Sequence, residues 1–159
     1  MIDSAAILER LMEYYSNDYD LTCPYQLGDT IYDTYAAYSH FNCFEHAFIR
    51  DTLTLSKGDI FRFKSHLTTA VEPFLVRGGD EFPAPGHIYT YVTGIFISER
   101  KVRDDVRRII RHFRYYRGYG FYNRGYCQAR IAAFDTETGT LICSPAAKEL
   151  MLEYRRILG

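Results

Sequence analysis

The sequence predicts an α/β domain, with α+β as the alternative, built on a single mixed five-stranded sheet whose elements run in the order αββαβαββα. Three observations carry this expectation. Stretches in which apolar residues recur every three to four positions take turns with stretches of strand-like character. The run HIYTYVTGIFIS over 87–98 is apolar on both faces, as befits a strand in the middle of a sheet. The chain's 159 residues, 47% hydrophobic and 25% charged, suit one globular domain over 1–159. A chain of this size buries about 70% of its unfolded surface, enough for a core without covalent staples.

The elements follow in order. Ile7, Leu8, Leu11, Met12 and Tyr15 lie at helical spacing over 4–15, with Asp3 or Ser4 as the cap and Asn17-Asp18 as the stop. The segments 30–39 and 44–55, rich in Tyr, Thr, Ile and Phe, read as an antiparallel pair. From Ser56 the period changes, and Ile60, Phe63, Leu67, Ala70 or Val71, and Phe74 mark a helix over about 57–72 that Pro73 ends or kinks. The stretch RGGDEFPAPG over 77–86 is turn chemistry. After the 87–98 strand, Val102, Val106, Ile109, Ile110 and Phe113 define one face of a helix over 101–114. Segments 126–135 and 140–143 form a hairpin around Thr136-Glu137-Thr138-Gly139, and Ser144-Pro145 opens a last helix through Ile157. Strand 88–97, helix 101–114 and strand 126–135 read as a right-handed crossover that makes the two strands parallel. Ligands of such sheets favour the C-terminal strand ends, here Ser98 to Lys101 and the loop beyond Phe134.

Cys23, Cys43, Cys127 and Cys143 form no CxxC pair, which suits reduced thiols in a cytoplasm. The first residues lack the pattern of a signal peptide, and no run is long and apolar enough for a membrane helix. The expectation is a cytoplasmic protein with no membrane partner. A P-loop, a GxSxG elbow and a dinucleotide-binding glycine motif are all missing, so no cofactor is expected.

Charge is unevenly placed. The net charge is −1, yet residues 100–130 hold nine Arg and one Lys against Asp104 and Asp105, about +8. At 100° per residue Arg103, Arg107, Arg111 and Arg114 fall on one stripe of the 101–114 helix, and Arg117, Tyr119, Tyr122 and Arg124 follow in a segment of cations, rings and glycines. Guanidinium groups contact phosphates and planar rings stack on bases, so these eight residues are the candidate site for an anionic ligand or partner, nucleic acid or another polyanion among them. The simpler reading is a solvated helix face with aromatics packed beneath a loop. The leading expectation is a non-enzymatic binding module.

Two other classes compete. Asp33, Glu45, Glu99 and Lys101 can be assembled into a metal-dependent phosphodiesterase of restriction-endonuclease-like fold, in which carboxylates hold a divalent ion beside a lysine. Against it, Glu99 and Lys101 fall at a strand-to-helix junction. His40-x-x-Cys43-x-x-His46 has a ligand-like spacing, but a strand-turn-strand reading makes its histidines diverge and supplies no fourth ligand, so no metal site is assigned. The third class is a homodimer cored by tyrosines from 30–39 and 88–92, since Tyr and Arg are both favoured in interfaces. Otherwise the tyrosine of the strands needs no functional account.

Tyr14-Tyr15, Tyr19-Asp20, Leu27-Gly28, Tyr32-Asp33-x-Tyr35-Ala36, and later Arg124-Gly125-Tyr126 leading into Ala129-Arg130-Ile131-Ala132 and Asp135, resemble a family of small prokaryotic proteins known only as a domain of unknown function. The chain departs from it by the Tyr/Gly-rich insertion around 118–123. The resemblance implies a stand-alone cytosolic domain and carries over no residue roles.

Overall fold

The computed structural model describes residues 2–121 and 123–159. Helix α1 (Ser4–Ser16) is capped by the Asp3 carboxylate, which accepts from the Ala5 N–H. Three short strands follow, β1 (Asp20–Thr22), β2 (Tyr25–Leu27) and β3 (Thr30–Tyr32), then the longer β4 (Thr34–His40) and β5 (Cys43–Thr52). Helix α2 (Lys57–His66) continues into a π-helix over Leu67–Val76. Beyond it come β6 (Tyr89–Ser98), α3 (Asp104–His112), β7 (Tyr115–Gly118), β8 (Tyr126–Asp135) and β9 (Thr140–Cys143), a 3-10 segment over Pro145–Leu150, and α4 (Met151–Leu158).

Among the described residues the main sheet has seven strands in the order β1-β4-β5-β6-β8-β7, with β9 also on β8. Strands β5, β6 and β8 are mutually parallel and the other pairs antiparallel, so the expected parallel pairing of 88–97 with 126–135 is present within a mixed sheet. Two helices cover each face. The cluster containing Ile60, Phe63, Leu67, Val106 and Ile110 packs α2, the π-helix and α3 on one side, against Phe48, Val92, Phe96 and Ile131. The cluster containing Ile7, Leu11, Tyr15, Tyr154 and Ile157 packs α1 and α4 on the other, against Ile49, Ile95, Ile97 and Phe134. Burial on both faces explains the unbroken apolar run in β6, each such side chain stabilising by roughly 1.5–3 kcal/mol.

Three expectations need correction. The sheet has seven strands rather than five, and the element order differs, because β1 and β7 are edge strands of mostly exposed residues that alternation does not reveal. The expected strand over 30–39 is two. Thr30–Tyr32 pairs with β2 as a separate ribbon, whereas Thr34–His40 pairs with β5. Asp33 breaks the run, its side chain accepting from the Asp51 N–H at 2.6 Å while its own N–H bonds Ile49 O. The helix over 57–72 neither ends nor simply kinks at Pro73. It widens to a π-helix and runs through the proline to Val76. An α-helical turn would press the Pro73 ring on the carbonyl four residues back, a crowding that a wider turn relieves.

The hairpin between β4 and β5 turns on Phe41 and Asn42, both at positive φ (48° and 65°), the geometry that matches strand twist. It pairs His40 with Cys43, while His46 faces the other way, buried against Tyr35, whose hydroxyl lies 2.6 Å from Nδ1. Among the described residues no group of three or more His, Cys, Asp or Glu is placed to hold a metal, and no helix is long and apolar enough to cross a membrane.

Gly94 on β6 lies under Phe63, and a Cβ there would stand 2.9 Å from the ring. Phe63 is itself locked edge-on against Phe96, centroids 6.1 Å apart. Gly94→Ala is expected to destabilise the protein by about 1–3 kcal/mol in urea unfolding, and Phe63→Leu in the same chain to recover part of the loss. An unchanged midpoint for Gly94→Ala contradicts this packing.

Candidate functional site

The face of the sheet under α1 and α4 is covered unequally. Side chains alternate along each strand, so Ile95 and Ile97 of β6 and Ala132 and Phe134 of β8 lie beneath the helices. Their same-face neighbours toward the strand starts are polar and aromatic. One row across the sheet reads Tyr38, Glu45, Tyr91, Gln128, Tyr116, and the next His40, Cys43, Tyr89, Tyr126, Gly118. Tyr38, Tyr89, Tyr91 and Tyr126 are half-buried, and Tyr116 is 52% exposed.

These rings form a continuous file. Tyr116 stacks on Tyr126 at 5.2 Å and 20°, Tyr126 on Tyr89 at 6.2 Å and 30°, and Tyr89 packs on Tyr91 at 4.5 Å. The Tyr91 and Tyr126 hydroxyls are 3.0 Å apart. Burial, with help from Cys43, pushes the Tyr89 phenol up to about 12, and burial raises Tyr91 as well, so both are neutral hydrogen-bonding groups at ordinary pH. Gln128 stands between Tyr91 and Tyr116, half-buried, its amide without a hydrogen bond among the described residues.

Arg130 holds the floor of this face. It is 3% exposed and its guanidinium lies 4.7 Å from the Tyr91 ring centre. Nε donates to Thr93 Oγ1 at 2.9 Å, Nη2 to Glu45 at 3.1 Å, and Nη1 to Glu149. Two carboxylates neutralise it, so it offers no charge to a ligand.

The structure divides the eight residues expected to bind. Arg107 bonds the buried Asp135 carboxylate and the Val102 carbonyl. Arg117 bonds Glu72 at 3.0 Å and lies over the ring of Tyr119, which is buried with its hydroxyl donating to Glu72 at 2.8 Å. Arg124 donates to Pro83 O and lies over Phe82. Arg103 is exposed beside Asp105, 3.5 Å away. Tyr122 lies outside the described residues. Arg111, on α3, and Arg114, past its end because the helix expected over 101–114 spans only Asp104–His112, are exposed and form no ion pair among the described residues; Arg108, on α3, is alike in this.

Arg111 and Arg114 flank a notch in the sheet edge. Strand β7 pairs with Tyr126–Ala129 of β8 and β9 with Ala132–Asp135, leaving a gap at Arg130 and Ile131 that the chain at Ser144 partly fills. A cleft of about 350 Å³ opens there, lined by Arg114, Tyr116, Gln128 and Pro145. A second, of about 380 Å³, lies on the other side of Pro145 and is lined by Arg111, Cys143 and Lys148. The notch thus connects three cations to the tyrosine file. Sequence reasoning placed the strand tyrosines in a dimer patch and missed Gln128 and Lys148; the period-two pattern Tyr89-x-Tyr91 with Tyr126-x-Gln128-x-Arg130 is the signal that would have grouped the face.

Among the four residues of the phosphodiesterase alternative, Glu45 lies apart from the rest. Asp33 and Glu99 both act on Asp51 near the C-terminal end of β5, whereas Glu45 is six residues earlier on that strand, about 20 Å away at the rise of an extended chain. Lys101 is exposed, with its backbone N–H on Glu137. Two-metal sites hold their ions about 4 Å apart, so these carboxylates do not converge on one.

Asp51 Oδ1 is buried and has no hydrogen-bond partner among the described residues. Burial pushes its carboxyl up to about 6, opposed by the Ser4 hydroxyl and reinforced by the Glu99, Asp33 and Asp3 charges. A raised folded value means the native state holds this proton more tightly than the unfolded chain, so Asp51 weakens the fold above pH 6 and ceases to do so as pH falls toward 4. Asp51→Asn is expected to raise stability near neutral pH by up to about 1 kcal/mol after solvent screening, with the advantage fading by about pH 4–5. Thermal melting of both proteins across pH checks this; an advantage that grows with acidity contradicts it.

No curated protein and no solved structure matches the chain. A family model described as a domain of unknown function, DUF8052, matches residues 36–156, from β4 through most of α4. The tyrosine face, the Arg130 floor and the notch all fall inside that span, and the chain belongs to the DUF8052 family.

Proposed function

We propose that this domain is a binding module for an anionic partner, which it takes at the notch between β7 and β9. The observation that carries the reading is the contrast among its cations. Arg77, Arg107, Arg117 and Arg130 each meet a carboxylate, whereas Arg111, Arg114 and Lys148 gather around Pro145 with no ion pair among the described residues. Unpaired cations at adjoining clefts attract a polyanion by releasing its counterions, an attraction that weakens with salt. The site keeps Arg111 on α3 and Arg114 just past its end, and replaces the Tyr119 loop with the sheet tyrosines.

A second reading, a homodimer, is favoured by the half-exposed Tyr38, Tyr89 and Tyr91 on one face. Light scattering at two salt concentrations separates the two, since a tyrosine-cored dimer persists in salt that strips a polyanion.

A fluorescent heparin fragment, which offers charge without bases, tests the leading reading. Binding at low salt is expected to weaken as salt is raised and to fall at least about tenfold when Arg111, Arg114 and Lys148 are changed together to Gln, the loss of about three counterion-releasing contacts. Arg103→Gln with Arg108→Gln, on the far part of α3, is expected to change it less. No binding at low salt, or a triple variant equal to the native protein, overturns the reading.

A further inference from the structure

Resting on that reading, we infer that the anionic partner is a single-stranded nucleic acid, seating a base over Gln128 beside the tyrosine file and its phosphates on Arg114, Arg111 and Lys148. The cations alone do not select a ligand. What selects it is that the same cleft is lined by a cation, Arg114, an aromatic ring, Tyr116, and a side-chain amide, Gln128.

Each group has a counterpart in a nucleotide. The amide of Gln128 carries both donors and an acceptor, and none is engaged among the described residues, so it can meet the mixed edge of a base. Tyr116 sits one strand away from it, at about 5 Å, in the same cleft and at the outer end of the tyrosine file. Bases stack on such rings with little regard to sequence, because every base has a π-face. The cleft, at about 350 Å³, has the volume of a small-ligand site.

The file is ordered before any ligand arrives. Tyr116, Tyr126, Tyr89 and Tyr91 pack on one another, and the Tyr91–Tyr126 hydroxyl contact fixes two of them further. Binding therefore orders few side chains, which favours affinity.

Charge sets the strand's direction across the face. Positive groups stand at the β7/β9 edge, while Glu45 lies inward on β5 beside Arg130, which it and Glu149 neutralise. Phosphates are favoured at the edge and disfavoured inward, so the backbone runs along the notch and the bases point onto the sheet. A duplex keeps its bases stacked inside and cannot present them to this face.

Fluorescence anisotropy with a short single-stranded RNA, an abasic strand of equal length and charge, and the matching duplex tests the inference. The RNA is expected to bind about tenfold more tightly than the abasic strand, the contribution of one stacked base. Gln128→Ala and Tyr116→Ala, at partly exposed positions where folding is checked by thermal melting, are expected to lower RNA binding toward the abasic level, a larger loss than they cause in heparin binding. Arg114→Gln is expected to lower RNA, abasic-strand and heparin binding together. Equal affinity for the RNA and abasic strands, or for single strand and duplex, overturns the inference, as does heparin binding without RNA binding. In those cases heparin binding shows that the anion reading stands; loss of heparin binding as well removes both.

Discussion

The arrangement of this domain depends on a buried guanidinium. Arg130 lies on β8 behind the notch in the sheet edge with almost no exposure, and an unpaired charge there would cost several kcal/mol. Its partners come from three other parts of the chain: Thr93 on β6, Glu45 on β5 and Glu149 in the 3-10 segment. Satisfying one side chain therefore fixes the register of three parallel strands and the position of the segment that leads into α4. The same constraint places Tyr91 against the guanidinium and sets Pro145 and Lys148 close to the sheet edge, so the floor of the face and one wall of the notch follow from a single interaction.

Two other buried charges take three more arginines. Glu72, 2% exposed in the π-helix, receives Arg77, Arg117 and the Tyr119 hydroxyl; burial raises its carboxyl, and these donors more than offset that, holding it below its usual range. Asp135, at the end of β8, receives Arg107 and the N–H groups of Val102 and Thr138, which likewise outweigh burial. The uneven charge of residues 100–130 is thus partly an internal matter. What stays free at the surface is a smaller set of cations, and their position beside the tyrosines gives the charge a direction.

The sequence displayed the parts of this architecture that rest on burial. Strand 87–98 could be read because both of its faces pack, and α3 because Val106 and Ile110 share one face. Strands β1 and β7 escaped notice because an exposed edge imposes no alternation, and β3 was merged with β4 because only the Asp33–Asp51 contact divides them. The site was half legible. Arg111 and Arg114 stood out by charge, but nothing in the sequence tells that Arg107, Arg117 and Arg124 turn inward or along the surface to partners 28 to 45 residues away. Tyr119 shared the composition of a stacking residue and is a core residue, because Glu72 draws its hydroxyl inward. The face that emerges instead depends on register between strands far apart in the chain, which one-dimensional periodicity does not encode.

The most direct measurement is an amide-resolved NMR titration of the labelled protein with a short single-stranded RNA. The account predicts shifts centred on the Gln128 side-chain amide and on the backbone of 114–117 and 126–129, spreading to 145–148, with α2 and the π-helix undisturbed. Shifts confined to the Arg103 and Arg108 end of α3 or to the Glu72 cluster, with Gln128 unmoved, would contradict it.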